Sequence, residues 1–367
     1  MFAIKKALTK FCLYVLKCPK DSYITFDVYS KGKRCGEGDF LMIDGVDKIQ
    51  GFCNDKAFTI DLPDGVSEIR EIKIDSETKL VLISAQEFTN FFTNNFEGSS
   101  IMGHRGSGMQ NIYKTMKSEE LAYYENSVSS FNDAWTNGAR WVELDVQVTK
   151  NLVPVIFHDF VLDKDGERTP IAELTDTEFL DFFSKKKTKD NMVCTLESIF
   201  SRIDEKMAIN IEIKYPTNEE CLINNIEKSI SINEYVDRIL EVIKNQTRRF
   251  CFSSFNPLVV LYLRMRLPKA LIMFIIHHEI VYHKADPSKS IERVVSFCST
   301  ACLDGLVMDY EFIKNRPEDV KKMCTENNLK VFIYGDEVSQ NDTVKKLLAI
   351  GIDGVITDDI KSVILVK

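Results

Sequence analysis

The chain has 367 residues, of which 44% are hydrophobic and 10% aromatic, and its net charge is −8. This apolar content is enough to fill a sizeable core and excludes wholesale disorder. The acidic balance argues against a nucleic-acid-binding protein, which normally presents a basic face. No run of about 18 apolar residues is present, so the sequence predicts no transmembrane segment.

Ten cysteines are scattered along the chain, without a CxxC pair or a Cys/His cluster at zinc spacing. We therefore expect reduced, buried thiols in a cytoplasmic protein. The apolar stretch of residues 11–16 lies between Lys10 and Lys17 and is shorter than the ~7–15 apolar residues of a signal peptide. We interpret it as the ordinary start of the first domain.

Residues 1–98 have the pattern of a small β-rich domain. Short alternating or β-branched runs are separated by turn signals such as Asn54-Asp55 and Asp64-Gly65. The predicted strands are residues 24–29, 40–43, 57–62, 68–74 and 79–83. Strands of this length and spacing indicate an antiparallel β-sandwich. The domain is predicted to end near residue 98, before the second domain at 99–367.

In the second domain, strand and helix patterns alternate. The predicted strands are residues 101–104, 141–147, 207–214, 249–255, 270–276, 305–309, 329–334 and 353–357. The helix-compatible stretches between them are residues 126–137, 196–204, 218–245, 257–265, 289–300, 317–327 and 338–350. This alternation predicts an α/β fold, a (β/α)₈ TIM barrel, which typically takes ~250 residues. A doubly wound open sheet is the alternative, but it would usually show fewer strands and a glycine-rich first turn.

Residues 154–158 do not fit the alternation, because they follow the second strand too closely for a parallel crossover. We predict that they fold back as a hairpin, with a turn near Lys150-Asn151 that places His158 opposite Glu143. The polar residues 159–191 would then form an insert over the barrel mouth.

Polar side chains concentrate at the ends of the first three barrel strands and of the hairpin. They are His104, Arg105, Glu143, Asp145, His158, Glu212 and Lys214. Strand residues two apart share a face, and carboxylates on the helix-covered face would be buried without solvent. We therefore place this set inside the C-terminal mouth of the barrel, where such barrels carry their sites.

The types of side chain in this set predict a hydrolytic metal site. Glu143, Asp145 and Glu212 form a hard oxygen cluster suited to one divalent cation, Mg²⁺ or Ca²⁺. Two histidines, His104 and His158, supply the side-chain type most often used for general acid and base catalysis.

Positive charge for an anionic oxygen, such as that of a phosphate, would come from Arg105 and Lys214. Gly106 and Gly108 would leave room for a ligand beside Arg105. The remaining histidines, His277, His278 and His283, have no carboxylate cluster near them in sequence, and we expect them to be structural.

Several motifs resemble the glycerophosphodiester phosphodiesterase family, a family with a phospholipase C-like TIM barrel. They are GHRG at 103–106, EN at 125–126, GARWVELDVQVTKNLVPVIFHDF at 138–160, NIEIK at 210–214, SSFNP at 253–257 and DGVITD at 353–358. The resemblance covers residues 101–367 and is greatest to the eukaryotic glycerophosphocholine phosphodiesterase branch. Members of that branch can carry an N-terminal starch-binding-like β-sandwich, so we expect residues 1–98 to bind a glycan or a protein partner.

The resemblance also implies a role for each matching residue. His104 and His158 would be the acid/base pair, and Arg105 and Lys214 would hold the phosphate during catalysis. The metal would be bound by Glu143, Asp145 and Glu212. Glu125 would lie near the metal or the substrate glycerol. Tyr334 stands where the family usually has a tryptophan and would line the substrate pocket. The implied reaction, part of glycerophospholipid catabolism, yields glycerol 3-phosphate and an alcohol such as choline.

Two other functions stay open at this point. A lysophospholipase D would need an apolar entry to the mouth, which Phe157, Phe160 and residues 179–183 could furnish if they do not pack the insert onto the barrel. A non-catalytic binding protein would be favoured by the loss of a catalytic residue, and none is missing.

Overall fold

The computed structural model describes residues 9–17, 24–28, 40–44, 48–53, 56–61, 68–74, 79–86, 100–108, 124–164, 166–184, 193–227, 229–277 and 290–364. These residues form two compact units, one with the N-terminal strands and one with the barrel strands. The boundary near residue 98 remains a prediction. In the part of the chain that is described, every helix is too short or too polar to cross a membrane.

The N-terminal unit is built from antiparallel strands. Its strands are β1 (Thr9–Lys17), β2 (Ile24–Val28), β3 (Phe40–Asp44), β4 (Lys48–Cys53), β5 (Lys56–Asp61), β6 (Glu68–Lys73) and β7 (Lys79–Gln86). One sheet has the order β3-β1-β7-β6 and the other β2-β4-β5. The β-rich prediction is therefore confirmed, but β1 and β4 were not predicted. The reason is that β1 is a continuous apolar run flanked by lysines and β4 contains Gly51, so neither alternates.

The second unit contains a closed barrel of eight parallel strands, which confirms the predicted fold. Its strands are β8 (Ser100–Gly103), β9 (Trp141–Val148), β13 (Ala208–Ile213), β14 (Phe250–Ser254), β15 (Leu271–Ile276), β16 (Gly305–Asp309), β17 (Lys330–Tyr334) and β18 (Gly354–Thr357). Three short strands, β10 (Pro154–Ile156), β11 (Val161–Lys164) and β12 (Glu167–Pro170), lie between β9 and β13 in the chain. Each pairs with the next, and β8 closes the barrel by pairing with both β18 and β9.

Helices alternate with these strands. They are α1 (Val128–Thr136), α2 (Asp176–Ser184), α3 (Leu196–Ile199), α4 (Asn218–Asn224), α5 (Ile232–Ile243), α6 (Pro257–Arg266), α7 (Ile291–Thr300), α8 (Tyr310–Ile313), α9 (Pro317–Glu326), α10 (Asn341–Ala349) and α11 (Ile360–Val363). The single helix predicted over residues 218–245 is two helices, because Asn225 adopts a left-handed conformation (φ 54°) that ends α4. The short helices α8 and α11 were not predicted.

The strands are apolar on both faces, as expected for parallel strands that are covered on both sides. All six residues of β15 are buried, for example. Inside the barrel, below the mouth, Trp141, Ala208, Cys251, Met273 and Phe332 belong to one buried cluster. Polar residues occur above this cluster, so the apolar floor supports the site and leaves its charged groups at the C-terminal end.

The predicted hairpin exists, but its register differs by one residue. β10 (Pro154–Ile156) pairs antiparallel with β9, with Ile156 beside Val146, and the Phe157 N–H donates to the Asp145 carbonyl at 3.0 Å. The loop holds three residues instead of two, with Leu152 left-handed (φ 63°), as in the common three-residue hairpin. The predicted placement of His158 opposite Glu143 is therefore wrong.

The insert after the hairpin shares a small apolar core with the hairpin and with residues that flank the insert. It contains the hairpin of β11 (Val161–Lys164) and β12 (Glu167–Pro170), followed by α2. The buried members of this core are Tyr124, Val155, Phe157, Leu162, Ile171, Phe179, Phe183 and Val193. Three of the phenylalanines proposed as an apolar entry, at 157, 179 and 183, are thus used for packing.

Candidate active site

The predicted site residues come together at the C-terminal ends of β8, β9 and β13. They surround one side of a cavity of about 440 Å³. His104, Arg105, Glu143, His158 and Glu212 line this cavity directly. Asp145 and Lys214 lie behind them, within ion-pair distance of Arg105 and Glu212 respectively.

Three carboxylates form the centre of the site. Glu143 and Asp145 are two residues apart on β9, and Glu212 on β13 pairs in register with Asp145. One oxygen from each lies within 4.8 Å of the others. Glu143 and Asp145 are only 3% and 1% exposed, so their charges are poorly screened by water.

This crowding shifts the pKa values of the three acids in different directions. Burial, followed by the charges of Asp145 and Glu212, raises the pKa of Glu143 well above its ordinary value. Burial also raises the pKa of Glu212, against the opposing effect of Lys214. For Asp145, burial acts in the same direction, but His158, Arg105, Lys214 and a hydrogen bond from Asn126 together hold its pKa below the ordinary value.

The donor set fits a hard divalent cation. All three groups offer carboxylate oxygens, which Mg²⁺ and Ca²⁺ prefer. Glu143 Oε1 is buried and has no hydrogen-bond partner among the described residues. A buried, unpaired carboxylate oxygen is costly, and a cation would satisfy it. Glu143, Asp145 and Glu212 could therefore hold a metal ion.

Arg105 connects the strand-end turn to the carboxylates. Its backbone is left-handed (φ 48°), and its N–H donates to Glu143 Oε2 at 2.9 Å. The guanidinium donates to Glu125 Oε1 at 2.8 Å, and its Nε lies 3.3 Å from Asp145 Oδ2. Burial alone would lower the pKa of Arg105, but Asp145, Glu125 and Glu143 raise it, so the side chain stays charged.

Lys214 follows β13 and supplies the second positive charge. Its Nζ lies 3.2 Å from Glu212 Oε1 and 3.9 Å from Asp145 Oδ1. The ammonium group also lies 5.2 Å from the centre of the Phe160 ring. Burial would lower the pKa of Lys214, but Glu212 and Asp145 outweigh it and raise the pKa.

Each histidine of the site has its own carboxylate partner. His104 Nδ1 lies 2.8 Å from Asp358 Oδ1, and His158 Nδ1 lies 2.7 Å from Asp159 Oδ1. Removal from water, together with Lys214 and Arg105, lowers the pKa of His158 well below its ordinary value, although 34% of its side chain remains exposed. A carboxylate on Nδ1 orients each ring and leaves Nε2 as the nitrogen that can exchange a proton with a ligand.

Glu125 and Asn126 lie just before α1. Glu125 contacts Arg105 as described, which places it beside the carboxylate centre. Asn126 was not predicted as a site residue. Its Nδ2 donates to Asp145 Oδ2 at 2.9 Å, and its Oδ1 accepts the Asp145 N–H at 3.2 Å. The only available signal was its place in the EN motif.

The two glycines after Arg105 have a structural reason. Gly106 has φ +94°, and a Cβ there would lie 2.3 Å from Ser130 Oγ. Gly108 has φ +105°, and a Cβ there would lie 2.2 Å from the Asp358 carbonyl oxygen. Both glycines are needed because other protein atoms lie where a Cβ would be. The prediction was that they make room for a ligand, and the contacts show room made for protein atoms instead.

Two more residues that were singled out from the sequence, Tyr334 and His277, are part of the cavity lining. Tyr334 lines the cavity as predicted, and its hydroxyl donates to the Ile276 carbonyl at 3.1 Å. His277, expected to be structural, also lines the cavity, with Nε2 3.1 Å from Asp309 Oδ2. Its partner Asp309 comes from the next strand, far away in sequence, and the structural role of His277 stays a prediction. His278 and His283 lie outside the described residues.

Comparison with known proteins gives consistent results. Glycerophosphodiester phosphodiesterase GDPD2 of Arabidopsis thaliana is 28% identical over 73% of this chain and 77% of the relative. Glycerophosphocholine phosphodiesterase gde1 of Schizosaccharomyces pombe is 26% identical over 72% of this chain, which spans only 28% of that relative. An Oleispira antarctica phosphodiesterase, solved with its product sn-glycerol-3-phosphate, shares the fold, with a TM-score of 0.53 and 20% identity over 73% of this chain and 96% of that one.

The family model described as "Glycerophosphoryl diester phosphodiesterase family" matches residues 104–362. This match begins at His104 and covers the whole set of site residues, including Tyr334 and Asp358. By this match and by the architecture of its barrel, the chain is a hydrolase that belongs to the glycerophosphoryl diester phosphodiesterase family.

Proposed function

We propose that this chain hydrolyses glycerophosphodiesters to glycerol 3-phosphate and an alcohol, with one divalent cation, Mg²⁺ or Ca²⁺. The observation that carries the proposal is the carboxylate centre, whose ligand oxygens lie within 4.8 Å of one another beside two His–Asp pairs. Glu143, Asp145 and Glu212 would hold the cation. When bound, it would neutralise negative charge that develops on the phosphoryl oxygens.

Arg105 and Lys214 would bind the phosphate. Both are buried cations whose raised pKa values keep them charged, and Arg105 lines the cavity. In the absence of ligand their charges are directed at Glu125, Asp145 and Glu212. A phosphate would share these charges, and charge-assisted hydrogen bonds of this kind are about twice as strong as neutral ones.

His104 and His158 would transfer the protons. A hydroxyl of the substrate glycerol would attack phosphorus, and one imidazole would accept its proton while the other donates a proton to the departing alcohol oxygen. The cyclic phosphate formed in this step would then be opened by water, with the two rings exchanging roles. Asp358 and Asp159 support these roles because each fixes a ring through Nδ1.

A cationic alcohol such as choline is the headgroup that the cavity favours. Besides the carboxylate centre, the lining includes four further acids, Asp309, Glu311, Asp336 and Glu337, and the ring of Tyr334. A quaternary ammonium against the tyrosine ring would gain ~0.5–2 kcal/mol. The printed name of the fission-yeast relative, a glycerophosphocholine phosphodiesterase, supports the same substrate.

Headgroup competition tests this assignment. The purified chain should hydrolyse glycerophosphocholine with a lower KM than glycerophosphoglycerol, and Asp336→Asn combined with Glu337→Gln should reduce that difference. Gly166→Ala, in an exposed hairpin turn, serves as the control variant. Equal KM values for the two substrates in the wild type would contradict a cationic headgroup site.

A lysophospholipase D activity remains an alternative proposal. Phe160 is partly exposed beside Lys214, but Phe157, Phe179 and Phe183 are buried within the insert, which leaves less apolar surface for an acyl chain. Parallel turnover measurements with glycerophosphocholine and lysophosphatidylcholine separate the two activities. We expect the first to be the better substrate, and a preference for the second would reverse the assignment.

For residues 1–98 we propose a binding role toward a glycan or a protein partner, and for the whole chain a cytoplasmic location. The six cysteines whose side chains the structure describes are all free thiols, which supports a reducing compartment. Four of them are buried, whereas Cys302 is exposed, so packing does not account for every thiol.

Retention of the full chain on immobilised glycans, compared with a chain starting at residue 99, tests the binding role.

A further inference from the structure

A fully buried polar side chain lies below the carboxylate centre and has no assigned role. Asn210 is on β13, two residues before Glu212, and its exposure is 0%. It lines the same cavity as His104, Arg105 and Glu143. The family motif NIEIK begins at this residue, yet neither the metal site nor the proton-transfer groups include it.

Two hydroxyl or thiol donors fix the orientation of the Asn210 amide. Its Oδ1 accepts from Ser253 Oγ at 3.1 Å and from Cys251 Sγ at 3.4 Å, both on β14. The amide nitrogen must therefore point away from β14. Nδ2 is buried and has no hydrogen-bond partner among the described residues. Buried amide donors are nearly always paired, so a bound group is needed to satisfy this one.

The neighbouring strand carries the complementary unpaired group. Asn210 pairs in register with Glu143 on β9, whose Oε1 also lacks a partner within the described ranges. A cation would satisfy the acceptor, Glu143 Oε1, and an anionic oxygen would satisfy the donor, Asn210 Nδ2. A phosphoryl oxygen held next to a cation satisfies both requirements at once.

From these contacts we infer that Asn210 Nδ2 donates a hydrogen bond to a phosphoryl oxygen of the bound diester. Ser253 and Cys251 act as positioning residues, because they hold Oδ1 toward β14 and so turn Nδ2 away from that strand. The inference rests on the proposed function in one respect, since it requires a phosphate-bearing ligand. A fixed donor of this type stabilises charge that grows on the phosphoryl oxygen during the reaction.

The substitutions Asn210→Asp and Asn210→Ala test the inference in the full chain with saturating Mg²⁺. An aspartate can still accept from Ser253 and Cys251 but cannot donate, and it adds a buried negative charge. Its losses are therefore compared with those of Asn210→Ala, which removes the donor without adding charge. The matched control is Ser254→Ala, a buried residue on the same strand as Ser253 whose hydroxyl donates to the Ile213 carbonyl and which does not line the cavity.

The readouts are calorimetric affinity for glycerol 3-phosphate, affinity for Mg²⁺, and kcat with glycerophosphocholine. We expect both Asn210 variants to bind glycerol 3-phosphate more weakly and to lose ~10²–10³ in kcat, the typical cost of losing one such donor. Affinity for Mg²⁺ in Asn210→Ala should match that of Ser254→Ala.

Three results would overturn the inference. One is unchanged glycerol 3-phosphate affinity and kcat in Asn210→Asp. Another is tighter Mg²⁺ binding with retained turnover in that variant, which would place the amide oxygen, and not the nitrogen, toward the cation. The third is a wild-type chain that does not bind glycerol 3-phosphate. If the wild type binds it but hydrolyses no diester, the proposed function fails, while the affinity comparison still decides the role of Asn210.

Discussion

His104 and His158 illustrate how single residues acquire a function from their partners. Each ring is fixed through Nδ1 by an aspartate, and these aspartates come from different parts of the chain, at positions 358 and 159. The identity of the two histidines could be predicted from their positions at the ends of a strand and of the hairpin. The Asp358 partner could not, because its approach depends on closure of the barrel between the last and first strands.

Replacing either histidine tests the proton-transfer role. We expect His104→Ala and His158→Ala each to lower kcat by more than ~10², the usual contribution of general acid–base catalysis. Asp358→Asn should cause a smaller loss and alter the pH profile, because the ring keeps its place but loses its charged partner. In all three variants, the affinity for the metal ion and the thermal midpoint of unfolding should stay near their wild-type values. Wild-type rates in both alanine variants would refute the role assignment.

The turn after β8 shows how a short element positions the site. Gly106 lets the chain approach Ser130, whose Oγ donates to the Arg105 carbonyl at 2.9 Å. That contact holds Arg105 in the left-handed conformation from which its N–H reaches Glu143. The position of the phosphate-binding arginine thus depends on a glycine with no chemistry of its own.

Gly106→Ala and Gly166→Ala form a matched pair for this turn. Both glycines have similar positive φ values, +94° and +92°, but a Cβ at Gly166 meets no atom within 4 Å. Each substitution should cost ~1–2 kcal/mol of unfolding free energy for the backbone conformation. Only Gly106→Ala should add an overpacking cost of ~1–3 kcal/mol and a loss of activity. Chemical denaturation measures the difference, and equal losses in the two variants would contradict the close contact.

The elements of the barrel could be predicted well because strand patterns and helix patterns alternate regularly along residues 101–357. The hairpin between β9 and β10 could be predicted as an element but not in register, because a two-residue and a three-residue loop both fit the sequence near Lys150. A shift of one residue exchanges the faces of all side chains that follow. The Asp309 partner of His277 could not be predicted for a related reason, since it is supplied by another strand.

At the scale of the whole molecule, the buried carboxylates destabilise the folded chain when they are ionised, and a bound cation would neutralise their charge. Glu143 and Glu212 have pKa values above the ordinary 4.5, chiefly through burial. Above that pH the folded chain binds more protons at these groups than the unfolded chain. Their contribution to stability is therefore greatest at low pH and declines as the pH rises toward their folded pKa values. Asp145, with a lowered pKa, stays ionised throughout this range.

Metal binding should consequently stabilise the chain more at higher pH. A cation binds the ionised carboxylates and displaces their protons. We expect the rise in thermal midpoint on adding Mg²⁺ or Ca²⁺ to be larger near pH 8 than near pH 5. The substitution Glu143→Gln should reduce this pH dependence, because it removes one of the two titrating groups. A metal-induced shift that is larger near pH 5 would show that the carboxylates are not the ligands.

The central claim is that the carboxylate centre and the two histidines act together on a glycerophosphodiester. Phosphorus NMR of glycerophosphocholine incubated with the purified chain tests it most directly, first with a chelator and then with excess Mg²⁺ or Ca²⁺. We predict no reaction with the chelator and conversion to glycerol 3-phosphate after the metal is added. Hydrolysis in the chelator, formation of phosphocholine, or no product from any glycerophosphodiester with either metal would contradict it.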